Sequence, residues 1–418
     1  MKMIFKCRKK STIVLLVLVV SLIFASSNTI SEASTDNVIN VKDFGAAGDG
    51  VTDDTTAFQS AIAQSTLEKK PVFVPFGTYK ITQTLNLTNQ SMIGEMSAAW
   101  GSDDVNMPVI KPTNPANSGI RLNKGGAISG LAFDYDQNEA SSTPTQYAPT
   151  ILLAGVGTRI SNVKITHAWI AIDCVDSPNA NTGRTAIENV FISKVAKVGI
   201  DLDYGWDVTT LHNVEVWTPS TIYNGYFLNN GTGIILRHND MLRVSNTFVF
   251  GAQVGMLFED NENNVGTWGV LTNSSVDYCL TGIKFVGMNK LTIAGGSFWA
   301  HFKAFDVDTA YTELNISACD IRSNGDAAFY IGDCKHITIS SCVITRDMQN
   351  YTNPAIHIAG GWNVVITGNY IKANGTGVII GSGARRAIVS NNIIEVPGGT
   401  SVSNNGMITV VKDNININ

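Results

Sequence analysis

Charged residues are scarce in this 418-residue chain, at 15% of the sequence, and their balance is slightly acidic, with a net charge of −5. Lysine and arginine form no cluster in the body of the chain. Nucleic-acid binding needs clustered Lys and Arg that neutralise phosphates, so nucleic acid is not expected as a partner. An apolar fraction of 44% with 38 glycines instead indicates a long core and many tight turns.

Cysteine is also sparse, and no Cys-x-x-Cys spacing of the kind used by zinc sites occurs. Beyond residue 33 the cysteines are Cys174, Cys279, Cys319, Cys334 and Cys342. An odd number leaves at least one thiol unpaired within a monomer. We therefore expect small core residues, with a disulfide allowed but not required.

Residues 1–33 differ in composition from the rest. Five basic residues precede the apolar run STIVLLVLVVSLIF, and SEA ends at Ala33. This order is typical of a secretory signal peptide. A permanent membrane anchor is the alternative, but the run is short for a spanning helix, which needs about 20 residues. We expect a secreted, extracellular protein with no membrane association after signal removal.

One eight-residue pattern recurs from Gly126 to the copy that begins at Ala387: apolar, any, apolar, any, Asn or small, any, any, apolar. Examples are TRISNVKI from Thr158 and TAIENVFI from Thr185, and successive copies start 22 to 33 residues apart. The period of two in the first half predicts a strand with one buried face. Asn or Gly at the fifth position tolerates left-handed backbone, which predicts a turn into another strand.

A second pattern, small-apolar-x-apolar, follows about six residues after most copies of the octet, as in GIDL from Gly199. Two or three short strands per repeat indicate one coil of a parallel β-helix. A β-propeller is the alternative, but its repeat is nearer 40 residues. Because one coil cannot bury its apolar face alone, coils must stack on a shared core. We predict an all-β, single-stranded parallel β-helix of about ten or more coils.

The glycine-rich stretch GDGVTDDTTAFQSAIA, residues 48–63, matches neither the phosphate loop nor the dinucleotide-binding turn. Its two aspartates would repel a phosphate but suit the start of a helix. We predict a short capping helix that begins after Thr52 or Asp53 and covers the open end of the core. The predicted organisation is a signal peptide (1–33), an N-terminal cap with the first coils (34–125) and the repeats (126–418). The predicted apolar face of the capping helix is Ala57, Phe58, Ala61 and Ile62.

VKDFGAAGDGVTDDTTAFQSAI and KKPVFVPFGTYKIT resemble the N-terminal signature of the pectate-lyase-like superfamily of right-handed β-helix proteins. That superfamily includes polygalacturonase and rhamnogalacturonase relatives, exo-glucanases, uronate epimerases and phage tailspike depolymerases. The resemblance implies a right-handed coil and extracellular work on saccharides, but not the reaction. The Asn-Thr-Asp, Asp-Asp, Gly-His-Gly and Arg-Ile-Lys motifs of polygalacturonases are absent. Thr376 and Ala327 stand at the nearest counterparts of the histidine and the second aspartate.

The third position of each small-apolar-x-apolar element should point outward, and equal positions on successive coils should form a row with about 5 Å per step. Elimination and epimerisation beside a carboxylate need a base and a positive charge that steadies the enolate. This row supplies those residue types, although a solvated polar face is the alternative. The predicted catalytic residues are Lys284, Asp306, Tyr330, His357, Lys303 and Asp326.

A second group of outward carboxylates comprises Asp173, Asp201 and Asp203. Stacked carboxylates could bind Ca²⁺ through oxygen ligands. They could also serve as a hydrolytic acid and base with shifted pKa values, or form a solvated acidic surface. The sequence requires no cofactor, and Ca²⁺ is an option at this cluster only.

Aromatic residues in the predicted turns, including Trp206, Trp268 and Trp362, suit a saccharide groove. We expect an enzyme that modifies or degrades a polysaccharide or oligosaccharide by hydrolysis, elimination or epimerisation. The missing polygalacturonase motifs leave a non-catalytic saccharide-binding or surface protein as the alternative. A spike-like homotrimer is a third hypothesis, since the sequence does not distinguish a trimer from a monomer.

Overall fold

The computed structural model of the protein describes residues 37–96, 106–175, 177, 180–346 and 353–417. The predicted signal peptide lies outside these residues, so its presence and the boundary after Ala33 stay predictions. Every strand pairing among the described residues is parallel, and the pairings join successive coils into one continuous sheet. The predicted all-β parallel β-helix is confirmed, and it has about 14 turns.

The strands of the first coils are Ile39–Asn40, Asp49–Asp53, Val72–Val74, Thr78–Ile81, Leu85–Leu87, Ser91–Gly94, Val109–Pro112, Ile120–Leu122, Ala127–Ser129, Ala132–Asp134 and Ile151–Leu153. Those of the middle coils are Arg159–Thr166, Ile170–Cys174, Ala186–Ser193, Val198–Leu202, Thr210–Trp217, Thr232–Leu236, Leu242–Ser245, Phe248–Phe250, Val254–Phe258, Trp268–Phe285 and Lys290–Asp308. Those of the last coils are Glu313–Ser317, Asp320–Ser323, Phe329–Asp333, His336–Ser340, Val343–Arg346, Ile356–Thr367, Tyr370–Lys372, Thr376–Ser390, Ile393–Glu395, Thr400–Asn404, Val410–Lys412 and Ile415–Ile417. The α-helices are Thr55–Glu68 and Tyr226–Asn230, and short 3₁₀ helices cover Val41–Phe44 and Ile222–Gly225.

The pairings form three parallel ladders around a common core. The first and second ladders contain the two halves of the octet, and the third contains the small-apolar-x-apolar element. A coil therefore contributes three short strands, and its inward side chains stack on equivalent side chains of the next coil. Representative pairs are Ile160 with Ile187 in the first ladder, Ile165 with Ile192 in the second and Ile172 with Ile200 in the third.

The turn between the first and second ladders falls at the fifth position of the octet, as predicted. Asn162 and Asn189 adopt left-handed backbone there, with φ of 53° and 54°, and their side-chain amides hydrogen-bond across coils at 3.1 Å. Ala318 and Ser341 adopt the same conformation, with φ of 53° each, although their residue types disfavour it. The coils on both sides fix the backbone at these positions, so the stacking overrides local preference.

One continuous core runs along the rod. Its large members stack in nearly parallel pairs, with ring centroids 4.9 Å apart for Phe258 and Phe285 and 4.8 Å apart for Phe305 and Phe329. The five cysteines among the described residues are buried and carry free thiols. The prediction that they serve as small core residues is confirmed.

The helix Thr55–Glu68 covers the N-terminal end of the core, and the predicted apolar face of Ala57, Phe58, Ala61 and Ile62 is buried. The residue that precedes the helix is Asp54, not the predicted Thr52 or Asp53. The Asp54 carboxylate turns back and accepts hydrogen bonds from the backbone N–H groups of Ala47 (2.6 Å) and Gly48 (3.1 Å). The glycine-rich loop is therefore closed by this buried carboxylate.

Candidate active site

The predicted row is present on the outward side of the third ladder. In register, Lys284 pairs with Asp306, Asp306 with Tyr330, and Tyr330 with His357. Adjacent strands lie about 4.8 Å apart, so the four side chains occupy successive steps along one face. Asp326 is exposed in the turn that precedes Phe329. The structure thus brings the predicted set together, while its catalytic role stays a prediction.

Contacts within this row centre on Lys303. Its ammonium lies 3.0 Å from Asp306 Oδ1 and 4.0 Å from the centroid of the Tyr330 ring. His357 meets the same ring edge-on, with centroids 5.4 Å apart. Burial lowers the pKa of His357; the nearby Asp326 opposes this shift and Lys303 reinforces it. The imidazole is therefore neutral, and able to accept a proton, at neutral pH.

The carboxylates Asp173, Asp201 and Asp203 lie on the same outward side, nearer the N-terminus. Ile172 pairs with Ile200, which places Asp173 beside Asp201 on the neighbouring coil. These residues line a cleft of about 400 Å³. The other lining residues include Tyr204, Arg237, Asp260, Asn261 and Glu262.

One guanidinium serves several carboxylates in this acidic cleft. Arg237 forms an ion pair with Asp201, and its Nε lies 3.0 Å from Glu259 Oε1. Burial raises the pKa of Asp201 to about 7; Arg237 opposes this rise, while Asp173 and Glu259 reinforce it. One guanidinium offsets neither the burial of Asp201 nor the carboxylates around it, so Asp201 exchanges its proton near neutral pH.

The neighbouring carboxyl groups have contrasting environments. Asp203 is buried and accepts hydrogen bonds from the backbone N–H of Tyr204 at 2.6 Å and from the Asn261 amide at 3.2 Å, yet burial raises its pKa. The Tyr204 hydroxyl donates to Glu262 and thereby lowers the pKa of that carboxyl. Carboxyl groups with raised and with lowered pKa values therefore stand in one cleft, which is the arrangement that acid–base catalysis uses.

Calcium binding by Asp173, Asp201 and Asp203 stays a prediction. Across the part of the chain that the structure describes, no group of three or more His, Cys, Asp or Glu residues could hold a metal ion. Asp201 is engaged by Arg237, and Asp203 by amide donors. Of the two chemical roles that the sequence leaves open for this cluster, the geometry therefore favours the acid and base.

Sequence reasoning missed five residues that line the cleft: Tyr204, Arg237, Asp260, Asn261 and Glu262. That reasoning considered only the outward position within each strand, and in the strand Val254–Phe258 this position is the apolar Leu257. It did not consider the residues just beyond the end of the strand. The acidic segment EDNENNVG, residues 259–266, directly follows an apolar strand and was the available signal.

Two family profiles match separate parts of the chain. Residues 38–99 match "Rhamnogalacturonase A/epimerase, pectate lyase-like", and residues 303–418 match "Right handed beta helix region". The first match includes the glycine-rich loop and its helix, and the second includes part of the predicted row.

Two of the relatives with detectable sequence similarity are a fungal glucosidase and a phage protein. A glucan 1,3-beta-glucosidase of Cochliobolus carbonum is 34% identical over 202 residues, which are 44% of this chain. The pre-neck appendage protein of Bacillus phage phi29 is 24% identical over 265 residues, which are 59% of this chain. The chain spans only 24% and 27% of the lengths of these two proteins.

Solved structures share the architecture. The A-module of a mannuronan C-5 epimerase of Azotobacter vinelandii superposes with a TM-score of 0.60 at 17% identity, over 91% of this chain and 99% of that one. The phage phi29 gene product 12 superposes with a TM-score of 0.64 at 16% identity, over 96% of this chain and 59% of that one. The class is therefore a right-handed parallel β-helix protein. Together with the profile matches, this fold supports the pectate-lyase-like superfamily.

The relatives support a carbohydrate-active or spike-like role. Neither helix among the described residues is long and apolar enough to cross a membrane.

Proposed function

We propose that this protein is an exported enzyme that hydrolyses glycosidic bonds of a polysaccharide in the acidic cleft. The observation that carries the proposal is Asp201, a largely buried carboxyl with a pKa of about 7 beside other carboxylates and a single guanidinium. Hydrolysis of a glycosidic bond needs one protonated and one ionised carboxyl group on either side of that bond.

In this proposal Asp201 is the general acid that protonates the leaving oxygen. Asp173, on the adjacent coil, is the partner carboxylate that acts on water or on the sugar. Arg237 orients Asp201 through its ion pair. Tyr204 and Glu262 also line the cleft.

The similarity to a glucan 1,3-beta-glucosidase supports hydrolysis, and it extends over 44% of this chain. A neutral glucan has no carboxylate that a cationic groove must bind, which agrees with the excess of acidic groups in the cleft. The apolar run before Ala33 supports export.

The test is release of reducing ends from a panel of polysaccharides by the mature protein and by Asp201→Asn. General acid catalysis contributes about 10²- to 10⁴-fold, so we expect a loss of at least about 100-fold. Asp306→Asn is the matched control, because it removes a carboxylate from the same face outside the cleft. Activity that survives Asp201→Asn but not Asp306→Asn would move the site to the predicted row. No turnover on any glycan would favour the non-catalytic alternative.

A second candidate function, lyase or epimerase action on a uronide, is favoured by the predicted row. The Lys284 ammonium forms no hydrogen bond or ion pair within the described part of the chain, so it is available to a substrate carboxylate. His357 is a neutral base beside Tyr330 and Lys303. The test is appearance of ultraviolet absorbance from an unsaturated uronide, or of the inverted uronate by NMR, and its loss in His357→Gln.

A further inference from the structure

Four exposed aromatic side chains lie along one edge of the rod, where each third-ladder strand turns into the first ladder of the next coil. Trp206, Trp268, Tyr311 and Trp362 are 53%, 43%, 64% and 40% exposed. We call this row the aromatic edge. It begins beside the acidic cleft, because Trp206 follows the cleft residue Tyr204 by two positions.

The aromatic edge has a regular spacing. Trp206 precedes the first-ladder strand Thr210–Trp217. Trp268 begins the first-ladder strand two coils later, and Leu242–Ser245 is the first-ladder strand of the coil between them. The strand beginning at Lys290 separates Trp268 from Tyr311, and His336–Ser340 separates Tyr311 from Trp362. The aromatic residues thus occur on every second coil, which corresponds to about 9.6 Å at about 4.8 Å per coil.

Hydrogen bonds and ring contacts hold several of these rings in place. The indole N–H of Trp268 donates to Asp240 Oδ1 at 2.9 Å, and that of Trp206 donates to the Ala180 carbonyl at 3.0 Å. Trp206 also packs edge-on against His238, with centroids 4.7 Å apart. Rings that are already oriented lose little entropy when a ligand binds.

The intervening coils are not uniformly apolar. Met241 and Met288 are exposed between the first three aromatic residues, but Lys335 lies between the last two and forms an ion pair with Glu313 at 2.6 Å. The guanidiniums of Arg385 and Arg386 lie 5.0 and 4.8 Å from the Trp362 ring. A row of separate rings with polar and charged groups beside them suits a ligand that alternates apolar faces with hydroxyl groups.

We propose that the aromatic edge binds an extended, β-linked polysaccharide that runs parallel to the rod axis. In a two-fold glycan ribbon every second sugar presents the same C–H face, so that face recurs with the disaccharide repeat. The two-coil spacing of the rings corresponds to this repeat, and each ring would stack on every second sugar. A helical glycan does not keep its sugars in line with a straight row. The proposal rests on the proposed function only for the polysaccharide class of the ligand.

The test is calorimetric titration of the Asp201→Asn protein with oligosaccharides of two to eight sugars from an extended β-1,4-linked glycan. This variant separates binding from cleavage, so that a failure of hydrolysis leaves the binding result interpretable. We expect affinity to rise in steps of two sugars, and a helical β-1,3-linked hexasaccharide to bind more weakly. Trp268→Ala and Tyr311→Ala should each weaken binding about two- to tenfold, and their effects should multiply.

Phe76→Ala is the matched control, since Phe76 is 42% exposed in a turn between the first and second ladders, away from the aromatic edge. It should leave binding unchanged. Equal affinity in Trp268→Ala, Tyr311→Ala and their parent would overturn the proposal, as would an absence of binding to the extended oligosaccharides. Light scattering supplies an independent outcome: a dimer or trimer that dissociates in Tyr311→Ala would assign this edge to a second copy of the chain.

Discussion

Replacing Asp201 by asparagine should stabilise the protein above neutral pH while it removes the proposed catalytic acid. The side chain is 13% exposed and is paired with Arg237. Asparagine keeps an oxygen that can accept the guanidinium hydrogen bond, but it cannot ionise. Since a buried charge that is only partly compensated costs free energy, the neutral amide should be tolerated better than the ionised carboxylate.

The sign and size of the effect follow from the Asp201 pKa, which burial raises from an ordinary value of 3.8 to about 7. The folded protein binds this proton more tightly than the unfolded chain, so stability falls as pH rises between these two values and is constant above them. This pKa shift corresponds to a loss of roughly 4 kcal/mol in the free energy of unfolding at high pH. The value is an upper bound for the gain in Asp201→Asn, since the ion pair with Arg237 changes with the substitution.

The assay is the thermal unfolding midpoint of the wild type and of Asp201→Asn from about pH 4 to pH 8.5. We expect similar midpoints at the acid end and a higher midpoint for the variant above pH 7. Asp207→Asn is the control: Asp207 is exposed, and its hydrogen bond with Arg184 lowers its pKa, so this variant should gain no stability at high pH. A difference between wild type and Asp201→Asn that is the same at every pH would refute the reasoning.

Three further predictions concern the coil itself. Burial lowers the pKa of His167, but hydrogen bonds of 2.8 Å to Asp134 and Glu139 outweigh this effect and raise it. The wild type should therefore lose stability as the pH rises through that raised pKa, whereas His167→Gln should not. Thermal unfolding midpoints from about pH 6 to pH 8.5 measure the difference. Ala318→Gly should raise the free energy of unfolding by about 1 kcal/mol, because it relieves left-handed backbone, whereas Ala300→Gly in a buried strand should lower it. Asn392→Ala should cost about 3 kcal/mol in denaturant unfolding, since the buried amide donates to the Ile366 and Ser390 carbonyls at 3.0 Å each; the exposed Asn315→Ala should be nearly neutral.

The predicted row shows which part of a site a repeat can reveal. Lys284, Asp306, Tyr330 and His357 share one position in the small-apolar-x-apolar element, so periodicity alone placed them on one face. The acidic cleft was only partly accessible by this reasoning. Arg237 lies just beyond the strand Thr232–Leu236, and its partners Asp201 and Glu259 lie on neighbouring coils.

The sequence by itself determined the coil, its turn positions and the capping helix, because each depends on local period and residue type that recur in every repeat. The tertiary structure alone decided the chemistry. Stacking gives Asp201 its burial, its single shared guanidinium and its raised pKa, and none of these is a property of the residues around it in the chain. Stacking also imposes left-handed backbone on Ala318, whose own preference is for other conformations, because the neighbouring coils hold it from both sides.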